Sequence, residues 1–207
     1  MARYTKAVCK LCRREGEKLF LKGHKCETAR CSISKRPTPP GEHPFRRGRR
    51  SEYGMQLREK QKVKRFYGIG DKQFRRYFSM AEKQKGNTGE NLLILFERRL
   101  DNVVYLLRFG LSRPHARQLV THGHVKINGR KCDIPSRLLR QGDRIELKGE
   151  KTVKAVKENF EITRSRGIPA WLTLDEENLV GVVNQLPTRE DVAIATEEQL
   201  IVEFSSK

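Results

Sequence analysis

Four of the five cysteines fall within the first 31 residues, as Cys9-x2-Cys12 and Cys26-x4-Cys31 with thirteen residues between the pairs. Paired knuckles at this distance have the spacing of a tetrahedral four-cysteine zinc site. Two thiolates three apart grip one ion from a single tight turn, and the second pair closes the tetrahedron. Little else in this lysine-rich, core-poor segment would fold it, so metal binding would supply the folding energy. Zn2+ is therefore expected on Cys9, Cys12, Cys26 and Cys31. A 4Fe-4S cluster on the same thiolates is the alternative, because soft ligands do not choose between them. A disulfide framework needs an oxidising compartment, and the first residues carry no apolar h-region of the kind that a secretory signal requires. His24 is a further candidate ligand, although four cysteines already complete a set. Cys132 stands alone and reads as a buried thiol.

The second chemical signal is charge. The 207 residues hold 44 Lys+Arg against 25 Asp+Glu, a formal charge of +19. It is unevenly spread: +11 over 1–50, +6 over 51–100, +5 over 101–150 and −3 over 151–207. A field this positive over three quarters of a chain repels itself unless a polyanion neutralises it. Nucleic acid is the natural partner, since its phosphates return energy through Lys/Arg contacts and counterion release. Next to such a partner, His24 reads as a loop or RNA-facing residue. Hydrophobic residues make up 36% of the chain, and no apolar run exceeds the five residues Leu92 to Phe96. A bilayer helix needs about 20, so no membrane span and no membrane partner are expected.

These groups need elements to position them. Residues 35–51 carry four prolines and the cluster Arg46, Arg47, Arg49 and Arg50, which reads as an irregular basic arm that orders on RNA. Ser51 is placed to cap a helix to about Tyr67, stopped by Gly68 and Gly70, with Arg58, Lys60, Lys62, Lys64 and Arg65 along it. A helix over about 71–84 has Phe74, Tyr77, Phe78 and Ala81 at core spacing, flanked by Arg75 and Arg76. After the turn at 86–89, a helical stripe runs from Leu93 to Leu107, and Asp101 reads as the cap of a break within it. Ser112 and Pro114 begin another helix that stops at Gly123. Val125 to Cys132 forms two strands about an Asn128-Gly129 type I′ turn, and Arg144–Lys148 is a further strand. Beyond residue 150 a short helix over 151–159, a strand or loop over 161–166, and strands at 179–183 and 200–204 are expected, with acidic residues around them. The single tryptophan, Trp171, reads as a packing anchor.

Four runs in this region carry a resemblance: Arg99-Leu-Asp-Asn-Val-Val, Ser112-Arg-Pro-His-Ala-Arg-Gln-Leu-Val, Gly123-His-Val-Lys-Ile-Asn-Gly and Gly142-Asp-Arg-Ile-Glu. They resemble the small helix-turn-helix-and-strands RNA-binding module found in ribosomal, heat-shock, pseudouridine-synthase and tyrosyl-tRNA-synthetase proteins. With Met1-Ala-Arg-Tyr-Thr, the cysteine knuckle, Ser51-Glu-Tyr-Gly-Met-Gln-Leu-Arg and Thr88-Gly-Glu-Asn-Leu-Leu, the whole chain is similar to the bacterial family of small-ribosomal-subunit protein number four, in its cysteine-knuckle form. One departure is Gly41-Glu-His-Pro44, where Gly-Gln-His-Gly is expected; Pro44 lacks a backbone N–H for a phosphate contact.

The resulting expectation is an α+β chain. A metal-knuckle arm (1–45) precedes a helical lobe (46–97, completed by 150–207), the module (98–150) is inserted as a second lobe, and the acidic segment 151–207 packs on the first. The resemblance implies a cytoplasmic, structural constituent of the small ribosomal subunit. It implies binding to the 5′ domain of 16S rRNA, nucleation of subunit-body assembly and a part in translational accuracy. The implied partners are small-subunit proteins number five and number twelve, and its own operon mRNA, which it would repress. Expected phosphate contacts are Arg46, Arg47, Arg49, Arg50, Lys62, Lys64, Arg65, Arg75, Arg76, Arg113, Arg117, Lys126, Arg130 and Lys131. Catalysis is not expected. Arg99-Leu100-Asp101 matches the letters of a pseudouridine-synthase motif, but Asp101 lies inside the module, and a catalytic domain needs roughly 100 further residues. A stand-alone ribosome-associated RNA chaperone with the same module is the alternative. A DNA regulator lacks any sign of the symmetric dimer that palindromic operators require.

Overall fold

Element boundaries follow the local chemistry of the chain closely. The computed structural model describes residues 4–42 and 51–206, so the arm residues Arg46, Arg47, Arg49 and Arg50, and Pro44, lie outside the described residues. Two compact units are formed: Met1–Leu92 with Ile194–Lys207, and Leu93–Ala193.

In the first unit, α1 (Cys9–Glu15), a 3-10 turn (Gly23–Cys26) and α2 (Ser32–Lys35) precede α3 (Glu52–Tyr67) and α4 (Asp71–Glu82). The Ser51 hydroxyl accepts the Gly54 amide at 3.1 Å and starts α3. Gly68, at φ 64°, ends it in the left-handed conformation that a side chain rarely adopts. Phe74, Tyr77, Phe78 and Ala81 are the buried stripe of α4. The unit is closed by α9 (Glu198–Ser205), which buries Ile201 and packs on α3. Residues 200–204 were expected to form a strand on the β-propensity of Ile201, Val202 and Phe204. Docking on α3 overrides that weak local preference. The buried Gln56 amide donates to Glu203 at 3.0 Å, and the Tyr53 ring packs tilted against Phe204 with centroids 5.3 Å apart.

α5 (Thr88–Glu97) carries the chain into the second unit. There α6 (Leu100–Leu106) and α7 (Arg113–Thr121) precede β1 (Val125–Ile127), β2 (Arg130–Lys131) and β3 (Arg144–Leu147). Then follow α8 (Glu150–Thr163), β4 (Leu172–Asp175) and β5 (Val180–Val183). The Ser112 hydroxyl caps α7 by accepting the His115 amide at 3.4 Å. Asn128 and Gly129, at φ 50° and 76°, give the positive-φ pair of the expected hairpin turn. The strands form one antiparallel sheet in the order β2-β1-β3-β5-β4, so the sheet does not stop at residue 150. α8 runs to Thr163, through the segment expected to be a strand or loop after residue 161. The chain is α+β.

The core of this unit gathers Leu100, Val103, Leu107, Val125, Ile145 and Trp171. Trp171 is fully buried, as expected of an anchor. Gly181 of β5 faces Leu107 so closely that an added Cβ would lie 2.3 Å from Leu107 Cδ1. Leu107 is itself fully buried and has no room to swing away. Overpacking at such a site costs about 1–3 kcal/mol. Gly181→Ala is therefore expected to lower the unfolding free energy by that amount, with the denaturant slope unchanged, as measured by urea titration.

Candidate nucleic-acid interface

Each unit contributes basic side chains, and the structure sorts them by what already holds them. On α3 of the first unit, Lys62 is buried and bridges Glu59 at 3.0 Å and Glu17 at 3.5 Å. Arg65 pairs with Glu15, which also meets Arg58 at 3.5 Å. Lys64 meets Asp71 at 2.8 Å, and Arg75 reaches the same carboxylate at 3.2 Å. Lys60 lies between the rings of Phe74 and Phe204, 5.2 and 4.8 Å from their centroids. Burial pushes its ammonium below the ordinary lysine value. Arg76 is exposed. Lys62, Lys64 and Arg65, read from sequence as RNA contacts, thus hold carboxylates within the first unit.

The four cysteines come from α1, the 3-10 turn and the start of α2. Cys12, Cys26 and Cys31 are buried and Cys9 is half-buried. Their thiols are near enough to disfavour one another's ionisation. Burial first, and then the neighbouring cysteines, push Cys12 and Cys26 above the ordinary thiol value. The Lys22 amide donates to Cys26 Sγ at 3.3 Å. The Ile33 and Ser34 amides donate to Cys31, which is lowered despite burial. Such N–H···S bonds steady a thiolate. Among the described residues, no group of three or more His, Cys, Asp and Glu side chains is placed to hold a metal ion.

In the second unit the module's arginines divide sharply. Arg113 is buried, donates to Asn102 Oδ1 at 3.0 Å and lies 4.5 Å from the centroid of the Tyr105 ring. Arg117 donates to Asp101 Oδ2 at 2.6 Å, with its side chain 18% exposed. Asp101 was expected to cap α6 but does not. The Leu100 and Asp101 amides are taken by the Arg137 and Pro135 carbonyls, and the Asp101 carboxylate turns to Arg99 and Arg117 instead. His115 accepts the Leu111 amide on Nδ1, and desolvation holds it below the usual histidine value.

The sheet supplies the open basic surface. Lys126 pairs across strands with Lys131 on one side and Glu146 on the other, so all three share a face. Val125, Ile127 and Ile145 point the opposite way into the core. Arg130 and Lys131 are exposed, as are Arg144 and Lys148 of the neighbouring strand edge and Arg137 and Arg140 of the loop before it. The last four were not among the expected contacts, although strand alternation from Lys126 across the register implies the side on which Arg144 lies. The stem of Lys131 lies against Gly123, where an added Cβ would meet Lys131 Cε at 2.2 Å.

Two family models cover this architecture: the ribosomal protein S4/S9 N-terminal domain over residues 3–97, and the S4 domain over 98–145. A protein of Ruminiclostridium cellulolyticum is 56% identical, and one of Halothermothrix orenii 57% identical, each over 208 residues covering the whole of both chains. Both are named small ribosomal subunit protein uS4. The chain belongs to the uS4 family. A third uS4 protein, from Thermodesulfovibrio yellowstonii, is 52% identical over the same full span. The junction of the two models, at 97/98, falls where α5 ends, two residues before α6 begins.

Asp71 gives the first unit a pH dependence of known sign. The Lys64 hydrogen bond, with Lys60 and Arg75 nearby, holds its carboxyl below the ordinary value of 3.8. A depressed folded value stabilises the protein above the unfolded value, and that contribution is lost as pH falls through the folded one. Asp71→Asn is expected to remove it, so the gap between wild type and variant narrows from about pH 5 to about pH 3. Urea midpoints at the two pH values measure the gap.

Proposed function

We propose that this uS4-family chain is a structural component of the small ribosomal subunit that binds its rRNA through phosphates and folded shape. The observation that carries this reading is the basic outer face of the sheet. Lys126 and Lys131 lie side by side there, with Arg144 on the neighbouring strand, Lys148 just beyond its end and the core sealed behind; Arg130, paired with Ile127, is exposed at the hairpin edge. A-form grooves hide most base edges, so a surface of this kind meets backbone rather than sequence. Among the described residues of the expected set, Arg75 and Arg76 of the first unit and Arg130 and Lys131 of the second are exposed; in the second unit Arg137, Arg140, Arg144 and Lys148 are exposed as well. The finer reading is early binding to the 5′ domain of 16S rRNA, nucleation of the subunit body and a part in translational accuracy beside proteins number five and number twelve. Repression of its own operon mRNA is a second use of the same surface. A structural role is favoured over catalysis because Asp101, the acid of the synthase-like Arg-Leu-Asp run, is held by two guanidinium groups.

Chemical footprinting of 16S rRNA in excess tRNA tests the reading. Protection confined to a 5′-domain junction supports it, and diffuse protection that tRNA abolishes favours the chaperone alternative. Log affinity is expected to fall with log salt by about 0.7 to 0.9 per phosphate engaged. A slope near zero would refute the electrostatic argument.

The cysteine arm is proposed to hold Zn2+ on Cys9, Cys12, Cys26 and Cys31, with a 4Fe-4S cluster as the alternative. Four soft sulfur donors, three of them accepting backbone amides, suit either group and would let it tie the arm together. Elemental analysis of protein purified without chelator is expected to give one zinc per chain. Neither zinc nor iron at that level would count against the site.

A further inference from the structure

α6 and α7 meet through a buried polar network as well as through apolar side chains. Arg99 donates to Asp101 twice, Nε to Oδ1 at 3.0 Å and Nη2 to Oδ2 at 2.7 Å. The same Oδ2 accepts Arg117 Nη1 at 2.6 Å. One residue on, Asn102 donates to Glu97 Oε2 at 2.6 Å and accepts Arg113 Nε at 3.0 Å. Successive residues of α6, Asp101 and Asn102, thereby hold two arginines one turn apart on α7. A helix pinned at positions i and i+4 cannot roll about its axis.

We propose that Asp101 is a positioning residue for RNA binding, holding the Arg117 guanidinium at the edge of α7 in the orientation that meets a backbone phosphate. The inference deepens the RNA-binding reading and rests on it. Asp101 is 5% exposed and cannot touch RNA itself. At a phosphate-binding surface its charge alone is unfavourable, so its contribution comes through what it holds. Arg99, whose side chain is 2% exposed, fixes the carboxylate from the inner side. Arg117 is the outer partner, at 18% exposure, with exposed Gln118, Thr121 and His122 following it on the same helix end. A guanidinium is planar, and its fork matches a phosphate only when its plane is set, which a compact ammonium does not require.

The test is filter binding of the full chain to a transcript of the small-subunit rRNA 5′ domain over a range of salt concentrations. The proteins are wild type, Asp101→Asn, Arg117→Gln and the double variant. Asp101→Asn makes the chain more positive, so long-range electrostatics alone predicts tighter binding. Positioning predicts the reverse, a loss of about five- to tenfold and a salt slope lower by roughly 0.7 to 0.9, one phosphate's share. In the Arg117→Gln background, Asp101→Asn is expected to change nothing further, since it acts through the missing group. Asp101→Asn binding at or above the wild-type level, or losses that multiply in the double variant, overturns the proposal. If circular dichroism shows Asp101→Asn unfolded, Arg117→Lys decides. An affinity as low as that of Arg117→Gln supports an oriented guanidinium, and wild-type affinity refutes it. Wild-type protein that binds this transcript no better than tRNA overturns the RNA-binding reading itself.

Discussion

In a chain carrying +19, like charges repel one another, and the structure offsets that repulsion with a few carboxylates that each serve several cations. Glu15 takes Arg58 and Arg65; Asp71 takes Lys64 and Arg75 with Lys60 nearby; Asp101 takes Arg99 and Arg117. Each carboxylate joins different elements: α1 to α3, α3 to α4, α6 to α7. A surface ion pair contributes little, but a carboxylate buried between converging guanidinium groups is costly to remove, because it leaves charge uncompensated. The basic residues therefore divide into two populations. Those gathered on carboxylates hold elements together, and some of them, Arg75 and Arg117 included, keep part of the side chain exposed. Those on the outer face of the sheet, the half-buried Lys126 and the exposed Lys131, have no carboxylate ion pair among the described residues and are open to a polyanion. Charge density alone does not reveal this division: on α3, Lys62, Lys64 and Arg65 all meet carboxylates.

Much of the fold is legible in the sequence because its punctuation is local. Ser51 and Ser112 cap helices as expected, Gly68 ends one, and Asn128-Gly129 turns the hairpin, since each depends on only a few neighbouring residues. The Phe74–Ala81 stripe is legible for the same reason. What could not be read depends on partners far along the chain. Residues 200–204 have strand-like composition, and only α3 makes them a helix. Asp101 has the position of a cap, but the helix already begins at Leu100, and the carboxylate turns to Arg99 and to Arg117 of another helix.

The candidate interface was legible in part for the same reason. Lys126, Arg130 and Lys131 follow from the hairpin alone. Arg144 and Lys148 require the β1–β3 register, which links residues about twenty apart, and Arg137 and Arg140 sit in a loop without periodicity. The burial of Arg113 depends on Asn102 and Tyr105, and nothing in the Ser112-Arg-Pro-His run signals it. A basic residue near a helix start is as consistent with an outward phosphate contact as with an inward hydrogen bond.

Chain connectivity carries a last consequence, for synthesis. The second unit is one continuous stretch, residues 93–193, whereas the first needs α9 from the far end of the chain to cover α3. Translation runs from the N-terminus, so the half made first is the half completed last. Until residues 198–205 emerge, Tyr53, Gln56 and Lys60 lack the surface on which they pack. A nascent chain interrupted before that point carries a finished S4 domain behind an open helical lobe. An incomplete copy is thus marked by the face of α3 on which Gln56 and Lys60 have not yet met Glu203 and Phe204.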